Sequence, residues 1–245
     1  MLRYHTSANL FGMNSEIQPA IRFRGLVFDM DGVLCDSEPF ICEAAMRMFA
    51  ERHHLQVRPE DFLPFVGAGE DRYLGGVAEQ YGITWDLEED KKRTYQIYLE
   101  IIRGRLKPLA GVGKFIARCR RSGMRLAVAT SADAVKMQGN LAEIGLPPET
   151  FDACVNGLEV VRKKPDPEIF LLAIQRLGLE PRECLVVEDS PNGIRAGKAA
   201  GAMCLGLTTS FPATQLQAAG ADWIAPDLAH VPPEVLLDAG DRQPG

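Results

Sequence analysis

The chain has 245 residues, of which 46% are hydrophobic and 24% charged, and its formal net charge is -6. A chain of this length can bury one sizeable core and a smaller second domain. The acidic balance, without a long basic cluster, argues against nucleic acid or an acidic membrane surface as a partner, and no apolar run reaches the roughly 18 residues that span a bilayer.

Residues 1–20 are expected to form a flexible extension. They lack the continuous apolar stretch of a secretory signal, and they resemble a transit peptide only weakly, through Arg3, His5 and nearby hydroxyl residues with no acid before Glu16. The six cysteines lack the close pairing of a zinc site or a disulfide scaffold, which indicates free thiols. Together these features predict a cytoplasmic protein.

The apolar run at 26–28 predicts a strand that is followed by two acids, Asp29 and Asp31, and a glycine turn. Side chains two positions apart in an extended segment point the same way, so we expect the two carboxylates to share one small space. They would repel each other unless a cation lies between them. A calcium loop does not explain them, because Val33 and Leu34 stand where that loop requires an oxygen ligand and a glycine.

Residues 39–106 are mostly helical in pattern and contain no convincing strand. Pro39 suits the first turn of a helix, and apolar residues at helical spacing extend that helix over about 39–53. Gly67 and Gly69 then interrupt the pattern. They resemble a phosphate loop superficially, but they follow no strand and lack its lysine, so we expect a turn that faces the substrate.

From residue 107 onward, short apolar runs alternate with helical patterns. Strands alternating with helices predict an α/β fold with a doubly wound parallel sheet, whose functional sites lie beyond the carboxyl ends of the strands. The predicted strands lie at 124–129, 152–155, 184–187 and 203–207, and the predicted helices at 111–122, 133–145, 167–178 and 191–200.

Polar residues stand where these strands end or the next helix begins. They are Thr130, Ser131, Lys163, Lys164, Glu188 and Asp189. Each pair alone has an ordinary structural explanation as a helix cap or a solvated turn. Together with Asp29 and Asp31, on one sheet edge, they would gather four carboxylates, a hydroxyl and an ammonium, which suits a hard cation and a phosphoryl group.

Four motifs in this order resemble the haloacid dehalogenase-like hydrolase superfamily. They are the run Asp29 to Val33, Thr130-Ser131, Lys164-Pro165, and the run Glu188 to Gly193. The similarity covers about residues 24–225. Within the superfamily the chain resembles the beta-phosphoglucomutase and sugar-phosphatase branch, in which an all-helical cap is inserted just after the first motif.

The resemblance implies a division of the chain into a core, a cap and two ends. The Rossmann-like core would comprise residues 21–38 and 107–237, and the helical cap residues 39–106. Residues 238–245 would form a loose tail. Small capped members of the superfamily are often monomers, so we expect a monomer that acts on small molecules.

The resemblance also implies roles for the polar residues. Asp29 would attack phosphorus and form an aspartyl-phosphate, while Asp31 would act first as acid and then as base. Thr130, the amide of Ser131 and Lys164 would hold the phosphoryl oxygens. Mg²⁺ would be held by three carboxylates and one backbone carbonyl. These ligands would come from Asp29, Asp31 (its carbonyl), Asp189 and Glu188, the last binding directly or through a water.

The cap distinguishes a phosphatase from a mutase. The beta-phosphoglucomutase pattern has a histidine and an arginine where this chain has Ile41 and Glu70. A carboxylate such as Glu70 would accept hydrogen bonds from substrate hydroxyls but would repel a second phosphate. The sequence therefore favours a magnesium-dependent phosphatase for a small sugar or polyol phosphate, contacted in the cap by Gly67, Gly69 and Glu70. A beta-phosphoglucomutase-type phosphotransferase and a catalytically silent module that binds phosphorylated ligands are the alternatives.

Overall fold

The computed structural model describes residues 23–66 and 69–236, so the predicted extension at 1–20 and the predicted tail at 238–245 lie outside the described residues. Its centre is a six-stranded sheet in the order β3-β2-β1-β4-β5-β6, in which all neighbours are parallel. The strands are β1 (Gly25–Phe28), β2 (Arg125–Ala129), β3 (Ala153–Val155), β4 (Cys184–Glu188), β5 (Met203–Leu207) and β6 (Trp223–Ala225).

The central strands are apolar at nearly every position because both faces of the sheet are covered. In β1, Leu26 and Phe28 lie in one hydrophobic core, whereas Val27 between them lies in the second core on the opposite face. Phe28 packs edge-on against Phe115, with their ring centroids 6.2 Å apart. Because successive side chains of β1 point to opposite faces of the sheet, this one strand contributes to both cores.

A helical insert, residues 38–102, lies between β1 and the rest of the sheet in the chain. It consists of α1 (Glu38–His53), a 3-10 helix (Pro59–Phe65), α2 (Glu70–Gln80) and α3 (Leu87–Ile102). Aromatic rings fill its interior, where the Phe62 ring stacks on Tyr73 at 4.8 Å and lies 6.3 Å from that of Phe49. Helix α1 ends as His54 adopts a left-handed conformation with φ 53°. The described part of this insert contains no strand, as its pattern predicts.

Five further helices cover the sheet. They are α4 (Val112–Arg121), α5 (Ala134–Glu143), α6 (Glu168–Leu177), α7 (Pro191–Ala199) and α8 (Ala213–Ala218). The predicted parallel α/β fold is confirmed. The sequence analysis missed α8 and β6. All six cysteines are free, as predicted, and no helix in the described ranges is long and apolar enough to cross a membrane.

Candidate active site

The carboxyl ends of β1, β2 and β4 meet around the ammonium of Lys164, which precedes α6. Its Nζ donates hydrogen bonds to Asp29 Oδ1, directly after β1, to the Ala129 carbonyl at the end of β2 (3.3 Å), and to Glu188 Oε1 at the end of β4 (2.8 Å). The lysine side chain is 7% exposed. A charge so far removed from water requires paired partners, and here two carboxylates supply them. By contrast, the neighbouring Lys163 turns away and donates to the carbonyls of 157 and 160.

The pKa values of Asp29, Asp189 and Lys164 indicate that the buried negative charges outnumber the positive charge of Lys164. Burial raises the pKa of Asp29 to about 7, because the attraction of Lys164 only partly opposes it and the charge of Glu188 adds to it. Burial, followed by the charges of Glu188 and Asp29, raises the pKa of Asp189 well above its ordinary value. Burial alone would lower the pKa of Lys164, but Asp29 and Glu188 raise it. Three buried carboxylates therefore lie around one ammonium, which pairs with two of them, Asp29 and Glu188.

Backbone and side-chain groups at the start of α7 hold the Glu188 carboxylate. Its Oε2 accepts hydrogen bonds from the Asp189 amide, the Ser190 amide and Ser190 Oγ, each at 2.9 Å. Ser190 caps α7, because its Oγ also accepts from the Gly193 amide at 3.0 Å. Neither Glu188 nor Asp189 is the helix cap. Gly193 faces the carboxylate so closely that any β-carbon there would overlap it.

Asp31 has a different set of partners from Asp29. Its Oδ1 accepts from Ser37 Oγ and from the Ser37 amide (3.3 Å), and its Oδ2 accepts from Lys136 Nζ at 3.0 Å. The expected extended segment is not formed, because β1 ends at Phe28 and the chain folds back in a bridge between Asp31 and residue 35. The charge of Asp31 nevertheless contributes to the raised pKa of Asp29. The two acids lie near each other but are held by separate lysines.

Thr130 lies at the same sheet edge but does not begin a helix. It is 2% exposed, and its Oγ1 accepts from the Ala132 amide at 3.1 Å. Helix α5 begins at Ala134, with Asp133 at its N-cap position. The ordinary explanation of Thr130 as a helix cap therefore does not hold, since its hydroxyl closes a turn of the chain before α5 begins.

The turn before α2 brings the helical insert close to this loop. A β-carbon at Gly69 would lie 3.9 Å from the Ser131 carbonyl, and Gly69 has φ 86°. Gly67 lies outside the described residues. Glu70, the first residue of α2, is 6% exposed, and its Oε1 lies 3.8 Å from Lys136 Nζ. Its Oε2 is buried without a hydrogen-bond partner.

Burial raises the pKa of Glu70 to about 7, with Lys136 opposing the shift and Asp133 adding to it. Lys136 and Ser37, which contact Asp31, were not singled out as site residues from the sequence. Lys136 is the third residue of α5, where a lysine ordinarily reaches solvent, so only its place on the same helix face as Asn140 hints at burial.

The donor set at the sheet edge fits a divalent cation in its chemistry. Asp29, Glu188 and Asp189 offer carboxylate oxygens, the ligands that Mg²⁺ prefers. The pKa values of Asp29 and Asp189 are raised by burial and by neighbouring negative charges, so a counter-ion would stabilise the ionised carboxylates. Within residues 23–66 and 69–236, no group of three or more His, Cys, Asp or Glu is already arranged around one metal position. Lys164 currently takes one oxygen each of Asp29 and Glu188.

Comparisons with known proteins give a matching family model and several similar proteins. The model of the haloacid dehalogenase-like hydrolase family matches residues 23–201. Protein SUPPRESSOR OF QUENCHING 1, chloroplastic, from Arabidopsis thaliana is 37% identical over 88% of this chain, which spans only 21% of that relative's length. Phosphorylated carbohydrates phosphatase from Thermotoga maritima is 35% identical, covering 72% of this chain and 81% of its own. The crystal structure of CbbY from Rhodobacter sphaeroides in complex with phosphate has a TM-score of 0.74 at 25% identity, covering 84% of this chain and 95% of that one.

Proposed function

The chain belongs to the haloacid dehalogenase-like hydrolase family, and from this premise we propose that it is a magnesium-dependent phosphatase for a small sugar or polyol monophosphate. The observation that carries the proposal is the buried Lys164 between Asp29 and Glu188, beside Thr130 at one sheet edge. A module that only bound phosphate would have use for the ammonium and the hydroxyl. It would have no use for a buried carboxylate placed beside them.

In the proposed mechanism Asp29 is the nucleophile. One of its oxygens bonds to phosphorus as the bond from phosphorus to the alcohol oxygen breaks, which gives an aspartyl-phosphate and an alcohol. Asp31 gives its proton to the departing oxygen and later takes one from the water that cleaves the intermediate. Thr130, the Ser131 amide and Lys164 hold the phosphoryl oxygens in place, so that most of the rate gain comes from alignment and charge neutralisation.

Mg²⁺ would be held by Asp29, the backbone carbonyl of Asp31, Glu188 and Asp189. When bound, it would offset the repulsion between the nucleophilic carboxylate and the anionic phosphate. The excess negative charge among the buried carboxylates supports this assignment. The residues around it hold the nucleophile in place independently of the ion, through Lys164 and the hydrogen bonds to Glu188.

Residues 39–106 would act as the cap, moving about hinges near Ser37 and Lys107. Gly67, Gly69 and Glu70 would face the substrate, and the unpartnered Glu70 Oε2 is an acceptor for a substrate hydroxyl. The Glu70 carboxylate would also repel a second phosphate, whereas the nearby Asp133 is paired with Lys91 at 3.0 Å. These features support a monophosphate with hydroxyl groups as the substrate.

A beta-phosphoglucomutase-type phosphotransferase would share the chemistry at Asp29 and differ in the acceptor of the phosphoryl group. Where that pattern has a histidine, Ile41 is 2% exposed and packs in the hydrophobic core. It offers no polar atom to a sugar ring. The monomeric state and the cytoplasmic location expected from the sequence remain predictions.

Release of phosphate from para-nitrophenyl phosphate in the presence of Mg²⁺ tests the proposal. We expect turnover in the wild type, loss on chelation of the metal, and a fall of at least about 10³-fold in Asp29→Asn, as for other lost nucleophiles. Asp166→Asn is the matched control, because Asp166 lies two residues from Lys164 but contacts neither it nor Asp29: it accepts from the Glu168 amide and pairs with the exposed Arg162, both at 3.0 Å. Equal rates in the wild type and Asp29→Asn would contradict the proposal.

The substrate class requires a second assay with phosphorylated sugars, polyols, glycolate and nucleotides. Release of free phosphate from one of the sugar or polyol phosphates is the expected result. Conversion of beta-glucose 1-phosphate to glucose 6-phosphate without release of phosphate would instead favour the mutase.

A further inference from the structure

Lys136 joins two carboxylates that come from different parts of the chain. Its side chain is 5% exposed, and its Nζ lies 3.0 Å from Asp31 Oδ2 and 3.8 Å from Glu70 Oε1. Asp31 belongs to the loop after β1, whereas Glu70 opens α2 in the helical insert. One buried ammonium thus touches both the proposed acid and the proposed cap.

A buried ammonium is strongly attracted to whichever carboxylates it can reach, since little water competes for it. With two carboxylates beside Lys136, its charge is shared between them. If Glu70 withdraws, the whole attraction falls on Asp31. The hold that Lys136 exerts on Asp31 therefore depends on where Glu70 is.

Helix α5, which carries Lys136, is also the element on which the helical insert rests. Tyr98 of α3 donates its hydroxyl to Asn140, and the Gly104 amide donates to Glu143 Oε1 at 2.6 Å. Lys91 of α3 pairs with Asp133 at 3.0 Å. These contacts fix α5 against α3, whereas the contact between Glu70 and Lys136, at 3.8 Å, is the longest of the set. A small movement of α2 would break it first.

We propose that Lys136 is a positioning residue through which Glu70 controls how firmly Asp31 is held. In the structure, Lys136 and Ser37 hold Asp31 by both oxygens while Glu70 stands 3.8 Å from the same ammonium. Closer approach of Glu70 would draw Lys136 away and free Asp31 to turn to the leaving oxygen, and without Glu70 this release does not occur. This inference rests on the proposed phosphatase activity and assigns α2 a role in controlling when Asp31 is released for the reaction.

A double-mutant cycle on para-nitrophenyl phosphate at pH 8 tests the coupling, since this substrate offers no hydroxyl groups to Glu70. We expect Glu70→Gln to lower kcat by about tenfold with KM within about twofold, a size typical of coupled neighbours. In the Lys136→Met background the same change should have little further effect, because Glu70 acts only through Lys136. Lys136→Arg should retain the dependence on Glu70.

Lys91→Met is the control, because Lys91 also joins the insert to α5 but does not contact Asp31. Its kcat should stay within about twofold of the wild type, and Glu70→Gln should keep its full effect in that background. Equal effects of Glu70→Gln with and without Lys136 would overturn the inference, as would a change in KM alone.

Hydrogen exchange separates failure of this inference from failure of the proposed function, because it needs no turnover. The Tyr73 amide donates to the Gly69 carbonyl at 2.9 Å and reports the first turn of α2. We expect faster exchange of this amide in Lys136→Met but not in Lys198→Met, whose lysine pairs with Asp222 on the far side of the core. If the wild type releases no phosphate, the proposed function fails. Unchanged exchange of the Tyr73 amide in Lys136→Met would overturn the link between Lys136 and Glu70, whether or not the wild type releases phosphate.

Discussion

Gly193 shows how a single missing side chain shapes the site. Its backbone lies in the first turn of α7, against the Glu188 carboxylate, at a separation that leaves no room for a β-carbon. Glu188 in turn fixes Lys164 at 2.8 Å and accepts three hydrogen bonds from residues 189 and 190. The position of the lysine beside the proposed nucleophile therefore depends on a glycine that takes no part in the chemistry.

The variant Gly193→Ala should lower kcat by about 10²-fold, because a displacement of about 1 Å in a catalytic group has effects of that size. The β-carbon would push Glu188 away from Lys164, while the fold should persist. Gly113→Ala in α4 is the matched control, since a β-carbon there meets nothing within 4 Å. It should leave kcat unchanged and stabilise the protein by about 0.5–1 kcal/mol. Similar kinetic effects of both variants would contradict this account.

The two buried lysines show what could be predicted at the residue scale. Lys164 stands just before a predicted helix, in a motif that the sequence analysis could recognise, and its partner residues follow predicted strands. Lys136 is far in sequence from its partners, 105 residues from Asp31. In the sequence it is an ordinary helical lysine, and only in the folded protein does the helical insert pack over it. Its burial is a tertiary property that local sequence does not encode.

At the scale of elements, the first residue of α2 is a buried carboxylate, and burial disfavours its charged form. Glu70 is buried, shares Lys136 with Asp31, and has its pKa raised to about 7 from an ordinary value of 4.5. The folded protein therefore binds this proton more tightly than the unfolded chain does. The contribution to stability is fully present below about pH 4.5 and is lost as the pH rises through about 7.

The free energy of unfolding of the wild type, relative to that of Glu70→Gln, should therefore fall as the pH rises from about 4.5 to 7 and level off above that range. Urea unfolding of both proteins at a series of pH values measures this difference. Glu79→Gln, which changes an exposed glutamate of the same helix, measures any general slope. A difference that stays constant or rises with pH would contradict the burial argument.

The sequence pattern predicted most of the elements but missed β6 and α8. Five strands and the helices α1, α4, α5, α6 and α7 match predicted segments within a few residues. The strand β6 has three residues and lies at the edge of the sheet, and α8 has six. A helix of six residues completes too few turns for its apolar pattern to stand out, and in β6 only Ala225 is buried, whereas the equally short β3 has two buried residues.

At the scale of the whole molecule, the strand order explains why distant motifs meet. The chain winds from β1 towards β2 and β3 on one side, and towards β4, β5 and β6 on the other. Such a reversal opens a crevice at the carboxyl ends of the central strands. The residues after β1, β2 and β4 therefore converge, as the sequence alone allowed us to predict. The placement of the helical insert over α5 could not be predicted, because no local pattern specifies how distant parts of the chain pack.

The central claim is that Asp29 becomes transiently bonded to phosphorus. A crystal structure of the protein with Mg²⁺ and beryllium fluoride, a mimic of an acyl phosphate, tests it most directly. The account predicts beryllium bonded to an Asp29 carboxylate oxygen, with its fluorines near Lys164 and Thr130, and no such adduct in Asp29→Asn. Beryllium fluoride bound elsewhere, or held in the pocket without a bond to Asp29, would contradict it.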